Sequence, residues 1–316
     1  GFSPAEADRL RRALTAKPSS NSQEAVVALR ERFVRGARDK GIDAEAAEDA
    51  FDQVEAFAGF GFCKSHAAAF ALVAYQTLYL KAHHAPEFYC ALLNQQPMGF
   101  YPPEVIAGDA RHHGVPILPP HVNLSREACT PEGEGSIRLG LRYVRGLGEA
   151  WQARIVDRRG DQPFAGLASF CRRTRLPRPV VENLVRAGAL EGLGTRRSLL
   201  WELGGLAYQE DGLDLDQPIE PADLPALERG EALAWEYELL GMAPGDQVMA
   251  LYREALKARG VVASRALQGL NDGDLVRVAG WAVVRQRPPT ANGHLFVTLE
   301  DEEGLEGDIP LTRRLY

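Results

Sequence analysis

The sequence predicts a mainly α, multi-domain chain that closes in a partial antiparallel β segment of barrel type. Three observations carry this. Apolar residues recur at helical spacing through much of the chain. Residues 136–201 form a compact basic block with Gly-bearing turns. From Asp274 onward the pattern changes to β-branched alternation. At 316 residues the chain exceeds one typical domain, so two or three folded units are expected. The divisions fall at 1–135, 136–205, 206–265 (an acidic linker with helices) and 266–316.

In chain order, residues 1–58 read as helices. Val26, Leu29, Phe33 and Ala37 keep helical spacing, as do Ala50, Phe51, Val54 and Phe57. Gly59 and Gly61 interrupt. Ser65 is a good N-cap for a helix running to about His83, and its apolar body reads as buried. Pro86 limits that helix, and a short helix covers residues 87–94. Residues 97–103 break regular structure. Residues 105–113 read as a helix and 115–123 (VPILPPHVN) as extended, because proline restricts the residue before it. The basic block reads as two similar helical hairpins. Residues 204–232 are acidic and Pro-bearing. Residues 233–259 are helical with a break near Pro244. Then LVRVAGWAVVRQ, the turn PPTANG and HLFVTLEDEEG read as two strands, with a third just before Tyr316.

No run of 18 apolar residues occurs, so no membrane span is expected. The start, GFSPAEADRLRRAL, has no apolar signal core and no initiator Met, and reads as an internal start. Cys63, Cys90, Cys129 and Cys171 are scattered, as incidental thiols of a reduced cytoplasmic protein would be. The net charge of −7 conceals an asymmetry. In residues 136–201 thirteen arginines face five acids, a local balance of +8, whereas in 209–240 ten acids face Arg229 alone, a balance of −9. A basic module beside an acidic segment can hold DNA whatever the whole-chain sum.

Four features could carry function. Lys64, Ser65 and His66 open a helix, where unpaired N–H groups, a cation and an imidazole make a phosphate-sized anion site. The alternative is a cap, a solvated lysine and a packing histidine. Arg11 and Arg12, with Lys17 close by, are adjacent on a helix and point about 100° apart, able to reach different phosphate oxygens. The alternative is a solvated basic face. In LRYVRGLGEAWQARIV a helix, a turn and a second helix place Arg142 and Arg145 beside Gly146 and Gly148. That is a backbone-phosphate grip without base reading. LVRAGALEGLG, with Arg186 and Gly188, is a looser second copy. The alternative is a hairpin that only packs. In the β segment, Arg285 and Arg287 with Trp281 and Phe296 suit a single-strand-binding barrel, although such rings are as often core. No catalytic constellation is present: there is no G-x-x-x-x-G-K-[ST], G-x-S-x-G or H-E-x-x-H. His83–His84 and His112–His113 are adjacent pairs on diverging faces, so no shared metal is expected.

Together these residues resemble one family. GFGFCKSHAAAFALVAYQTLYLKAHHAPEF is similar to the late fingers region of the bacterial C-family DNA polymerases, the polymerase III alpha subunits, and LRRAL resembles the basic helix ahead of it. The order that follows is also similar: a tandem helix-hairpin-helix module, a linker, then an OB barrel. LLNQQPMGFY, DARHHGVPILPPHVNLS and VRQRPPTANGHLFVTLEDEEG resemble the error-prone branch more than the replicative one. GMAPGDQVM departs from the family's Gly-His-Pro turn, and QPIEPADLPAL is a degenerate clamp-binding match.

The resemblance implies a DNA-directed DNA polymerase of damage-tolerant, translesion synthesis, working by two-metal nucleotidyl transfer with Mg2+. It implies Arg11, Arg12 and Lys17, supported by Lys64, Ser65 and His66, as triphosphate contacts. Arg142, Arg145, Gly146, Gly148, Arg186, Gly188, Arg285 and Arg287 become DNA contacts. No catalytic or metal-ligating residue is assigned here, because the family's palm aspartates lie upstream of these motifs; the chain reads as a fragment with an unfinished barrel. Implied partners are primer-template DNA, a deoxynucleoside triphosphate, a sliding clamp and translesion accessory proteins, with no membrane. The alternatives are a fragment of the replicative alpha subunit and a non-catalytic DNA-binding relic.

Overall fold

The computed structural model describes residues 2–15, 20–56, 64–99, 101–206, 224–271, 273–287 and 294–311. The chain divides into two compact units, Gly1–Leu78 and Tyr79–Tyr316.

In the first unit, α1 (Pro4–Thr15), α2 (Ser20–Arg38) and α3 (Ala44–Ala56) pack consecutively. Part of the predicted helical periodicity meets in one small core, Phe51 of α3 with Val26, Leu29 and Phe33 of α2, joined by Leu10 and Leu14 of α1; Ala50 and Val54, from the same predicted pattern, are exposed. Arg30 fixes α2 on α3, with Nε donating to Glu48 Oε2 at 2.8 Å and Nη1 to Glu55 Oε2 at 3.2 Å. Asp52 takes its remaining nitrogen.

The next helix, α4 (Lys64–His83), begins in the first unit and ends in the second. It starts at Lys64, so Ser65 lies in its first turn and is not the cap. The predicted burial is also absent: every side chain from Ser65 to Leu80 is exposed, including Phe70, Leu72, Val73 and Tyr75. Apolar residues occur on all its sides, so no single stripe defines an inner face.

The second unit continues with α5 (Ala85–Asn94) and α6 (Pro103–His112), each with Pro in its first turn. A small sheet follows, built from β1 (Ile117–Leu118), β2 (Thr130–Glu132) and β3 (Ser136–Arg138). β3 is central, parallel to β1 and antiparallel to β2. The predicted helix at Leu141 is a three-residue 3₁₀ turn, Leu141–Tyr143. The cause is visible in the backbone: Leu141 and Arg142 donate their N–H groups to Arg126 O and Glu127 O, at 2.9 and 3.0 Å. A Cβ on Gly140 would overlap the backbone of Ala128.

Four helices complete the basic block: α7 (Glu149–Arg159), α8 (Leu167–Thr174), α9 (Arg178–Arg186) and α10 (Arg196–Gly205). Then come α11 (Arg229–Leu240) and the short α12 (Arg253–Lys257). One core joins these elements, with Tyr89, Leu93, Ile137, Leu141, Phe164, Phe170, Leu184 and Leu240 among its members. The thiols of Cys90, Cys129 and Cys171 are buried in it.

The predicted β grammar is present. β4 (Val261–Val262) pairs in parallel with β5 (Arg277–Val278). β6 (Trp281–Gln286), β7 (Leu295–Asp301) and β8 (Gly304–Leu311) form an antiparallel meander with a bulge in each pairing.

The end of β7 rests on α6 through a buried polar seam. Glu104 accepts from Tyr237 Oη at 2.9 Å and from Ala243 N at 3.1 Å. Asp301 accepts from Ser264 and Arg253. Glu300 is buried with Oε2 unpartnered, and a Cβ on Gly108 would overlap its Oε1. Burial, reinforced by Glu104, pushes the Glu300 carboxyl up to about 7.

Candidate nucleic-acid interface

The first hairpin is small and tightly held. Leu147 and Val144 are buried on either side of its turn. Gly146 has φ +82°, the left-handed region that glycine tolerates, and a Cβ there would come within 3.0 Å of Asn183 Nδ2. Asn183 donates to Arg145 O at 3.1 Å, and Arg145 N donates to Leu239 O at 2.8 Å. Gln152 Nε2 closes the turn on Leu147 O at 2.7 Å. The turn backbone is thus fixed from three directions.

What it presents outward is electropositive. Gly148 is the N-cap of α7 without a side-chain cap bond, so the first-turn N–H groups point out of the helix. Glu149 is the acid in that turn. Arg145 is exposed and, among the described residues, makes no ion pair. Arg142 is exposed and donates to Asn94 O at 3.2 Å. Arg126, absent from the sequence reading, is exposed in the segment whose carbonyls take Leu141 N and Arg142 N. It lies before the basic block in sequence and joins it only through that backbone pairing.

The second hairpin differs. Gly188 has φ +80° but is buried, and a Cβ there would meet Arg196 Nη2 at 2.6 Å. Arg186 donates to Glu238 Oε2 at 2.6 Å and lies 5.2 Å from the Trp235 ring. Arg196 donates to Glu191 and Glu236, and Arg197 to Glu231. All of Glu231, Glu236 and Glu238 belong to α11, part of the acidic segment.

In the β segment Arg285 and Arg287 are exposed, Arg285 on β6 opposite Val297. Trp281 stacks on Tyr237 with ring centroids 6.2 Å apart, and Phe296 is half-buried.

The candidate triphosphate residues fall in the first unit. Arg11 and Arg12 do not diverge: Arg11 Nη2 donates to Asp8 Oδ1 at 2.9 Å and Arg12 Nε to Asp8 Oδ2 at 2.8 Å. These bonds, Arg12 first, hold the Asp8 carboxyl below the usual range. Ser65 and His66 are exposed, and His66 meets Phe70 edge-on at 4.4 Å. Lys64 opens α4; Lys17, Gly59 and Gly61 lie outside the described residues, as do residues 217–223 of the clamp-like stretch.

Among the described residues no group of three or more His, Cys, Asp or Glu is placed to hold a metal ion. The residues described here therefore do not fit the Mg2+ site that the resemblance implies. No helix among them is long and apolar enough to cross a membrane.

Residues 114–200 match a family described as helix-hairpin-helix motif. That match contains both hairpins and the β1–β3 sheet. The chain is similar along almost its whole length to proteins named error-prone DNA polymerase. It is 42% identical to that of Alkalilimnicola ehrlichii over 313 residues, covering 96% of this chain and 30% of the relative. It is 43% identical to that of Corynebacterium glutamicum over 309 residues, covering 96% and 28%. The Anaeromyxobacter sp. (strain K) protein is 39% identical over 321 residues, again covering 96% and 28%. The chain thus spans about three tenths of the length of these relatives.

Proposed function

We infer, from a chain related along almost its whole length to the error-prone DNA polymerases of the C family, that it supplies such a polymerase with its grip on the DNA backbone and with cations for the incoming nucleotide. The grip belongs to the first hairpin. Arg142 and Arg145 face phosphate, Arg126 extends the same cationic surface, and the N–H groups at the start of α7 donate to a phosphate oxygen. No base edge is read, as suits an enzyme that moves along any sequence. The observation that carries this reading is the Arg145–Gly146 turn: its backbone is pinned by Leu239, Asn183 and Gln152 while its guanidinium is left exposed and without an ion pair among the described residues.

The relatives' printed name favours the error-prone branch over the replicative one and over a non-catalytic relic. Primer-template DNA and a deoxynucleoside triphosphate are then the partners, with Arg11, Arg12, Lys17, Lys64, Ser65 and His66 as the triphosphate group. A sliding clamp and translesion accessory proteins are further partners, and the setting is cytoplasmic. The domain roles follow the divisions 1–135, 136–205, 206–265 and 266–316. Mg2+ in such an enzyme would be held by residues other than those described.

The test is Arg142→Ala with Arg145→Ala, read as log K against log salt on duplex DNA. Each lost phosphate contact reduces the slope by about 0.9, so a flattening of up to about two units is expected, equal across sequences. An unchanged slope overturns the grip.

A further inference from the structure

The second hairpin is as basic as the first by sequence, yet its arginines are held by the chain's own carboxylates. Arg186–Glu238, Arg196–Glu236 and Arg197–Glu231 each close at 2.6 Å, and α11 supplies all three acids. α11 cannot swing freely. Leu233, Leu239 and Leu240 are buried, and Leu239 O receives the Arg145 N–H at 2.8 Å.

The three pairs are of two kinds. Arg196 and Glu236 are nearly enclosed, with side chains 9% and 14% exposed, and removing one partner would leave an uncompensated buried charge. Arg186–Glu238 and Arg197–Glu231 are partly open to solvent, where an ion pair is individually weak. Glu231 and Glu238 are seven residues apart, on one helical face and separated by about 10.5 Å of helix axis. That is roughly the rise of three phosphates along one strand of B-DNA. The open acids of α11 therefore present two anions at a spacing that a nucleic-acid strand can match.

We propose that α11 is a built-in competitor for the DNA backbone: Glu231 and Glu238 occupy the phosphate positions of the second hairpin, so DNA is held by the first hairpin alone unless those carboxylates are displaced. This rests on the reading that the first hairpin grips phosphate. The consequence is a weak grip that α11 limits by design of charge, with a second phosphate-binding surface in reserve beneath it.

The test uses the full chain with Glu231→Gln and Glu238→Gln together, leaving the enclosed Arg196–Glu236 pair intact. The double variant is expected to bind duplex DNA more tightly at low salt, with a salt slope steeper by up to about two units. A control with the same net charge, Glu134→Gln with Glu254→Gln at two exposed acids elsewhere, is expected to leave the slope unchanged. Arg186→Ala with Arg197→Ala in the otherwise unaltered chain is expected to leave it unchanged too, because those guanidinia are already taken. The competitor is overturned if the first variant matches the unaltered chain, if the control steepens the slope equally, or if losing Arg186 and Arg197 flattens it. Arg142→Ala with Arg145→Ala separates the two readings: no effect there removes the first-hairpin grip, whereas the response to Glu231→Gln and Glu238→Gln judges α11 on its own.

Discussion

Asp8 gathers the guanidinia of Arg11 and Arg12 onto one carboxylate, one oxygen to each. Sequence alone places neighbouring helical residues about 100° apart, but long side chains at i+3 and i+4 can both reach back to the same group. These ion pairs to Asp8 are open to solvent and individually weak, so on the proposed reading a triphosphate could displace the carboxylate. A triphosphate offers more charge and more acceptor oxygens than Asp8. If the proposed polymerase reading holds, Arg11→Ala and Arg12→Ala in the full-length protein should each raise the apparent nucleotide KM or lower kcat. Because both forks hold one anion, the double variant should lose less than the sum of the singles. Steady-state kinetics of the three variants decide it, and three unaltered profiles would remove these arginines from the nucleotide site.

Among elements, α6 and the end of β7 make the seam most sensitive to pH. Glu300 on β7 is packed against Gly108 of α6 and faces Glu104, Asp109 and Asp301, with Arg111 the opposing cation. Its carboxyl is raised to about 7 from an ordinary 4.5, so the folded chain holds the proton more tightly than the unfolded chain. Stability from this group is complete below about 4.5 and is lost as pH rises through 7, with a slope of up to about 1.4 kcal/mol per pH unit between. Urea midpoints taken from pH 5 to 8 should fall with pH, and Glu300→Gln should remove most of that fall; an equal fall in the variant would place its cause elsewhere. None of this is legible from LEDEEG, which reads only as an acidic strand and turn. What was legible is the local grammar: periodic apolar spacing at 103–112, alternation at 281–286 and 295–301. The strands at 130–132 and 136–138 escaped because three residues of TPE and SIR carry no period. The first helix of the first hairpin was misread because its N–H groups go to Arg126 and Glu127, a choice made by a segment some fifteen residues away.

For the whole molecule, charge counting and charge geometry give different answers, and the difference can be measured. The block at 136–201 holds thirteen arginines, and were each to meet a phosphate the salt slope would approach −12. The folded chain spends many of them internally. Arg138 pairs with Glu132, Arg159 donates to Val122 O and Ser125 O, Arg173 caps the end of α7, and Arg178 holds the end of α10. Arg186, Arg196 and Arg197 face α11. These partners lie up to about 50 residues away in sequence, so the +8 of the block is visible in advance but its expenditure is not. Beside the turn of the first hairpin the exposed arginines are Arg126, Arg142 and Arg145. Three phosphate contacts give a slope of about −2.7. Titration of the full chain onto a duplex from about 20 to 200 mM salt should therefore yield a slope near −3 and only modest affinity at the upper end. A slope near −10 would mean that the internal pairs open on contact with DNA, and that the folded partition of these arginines does not govern binding.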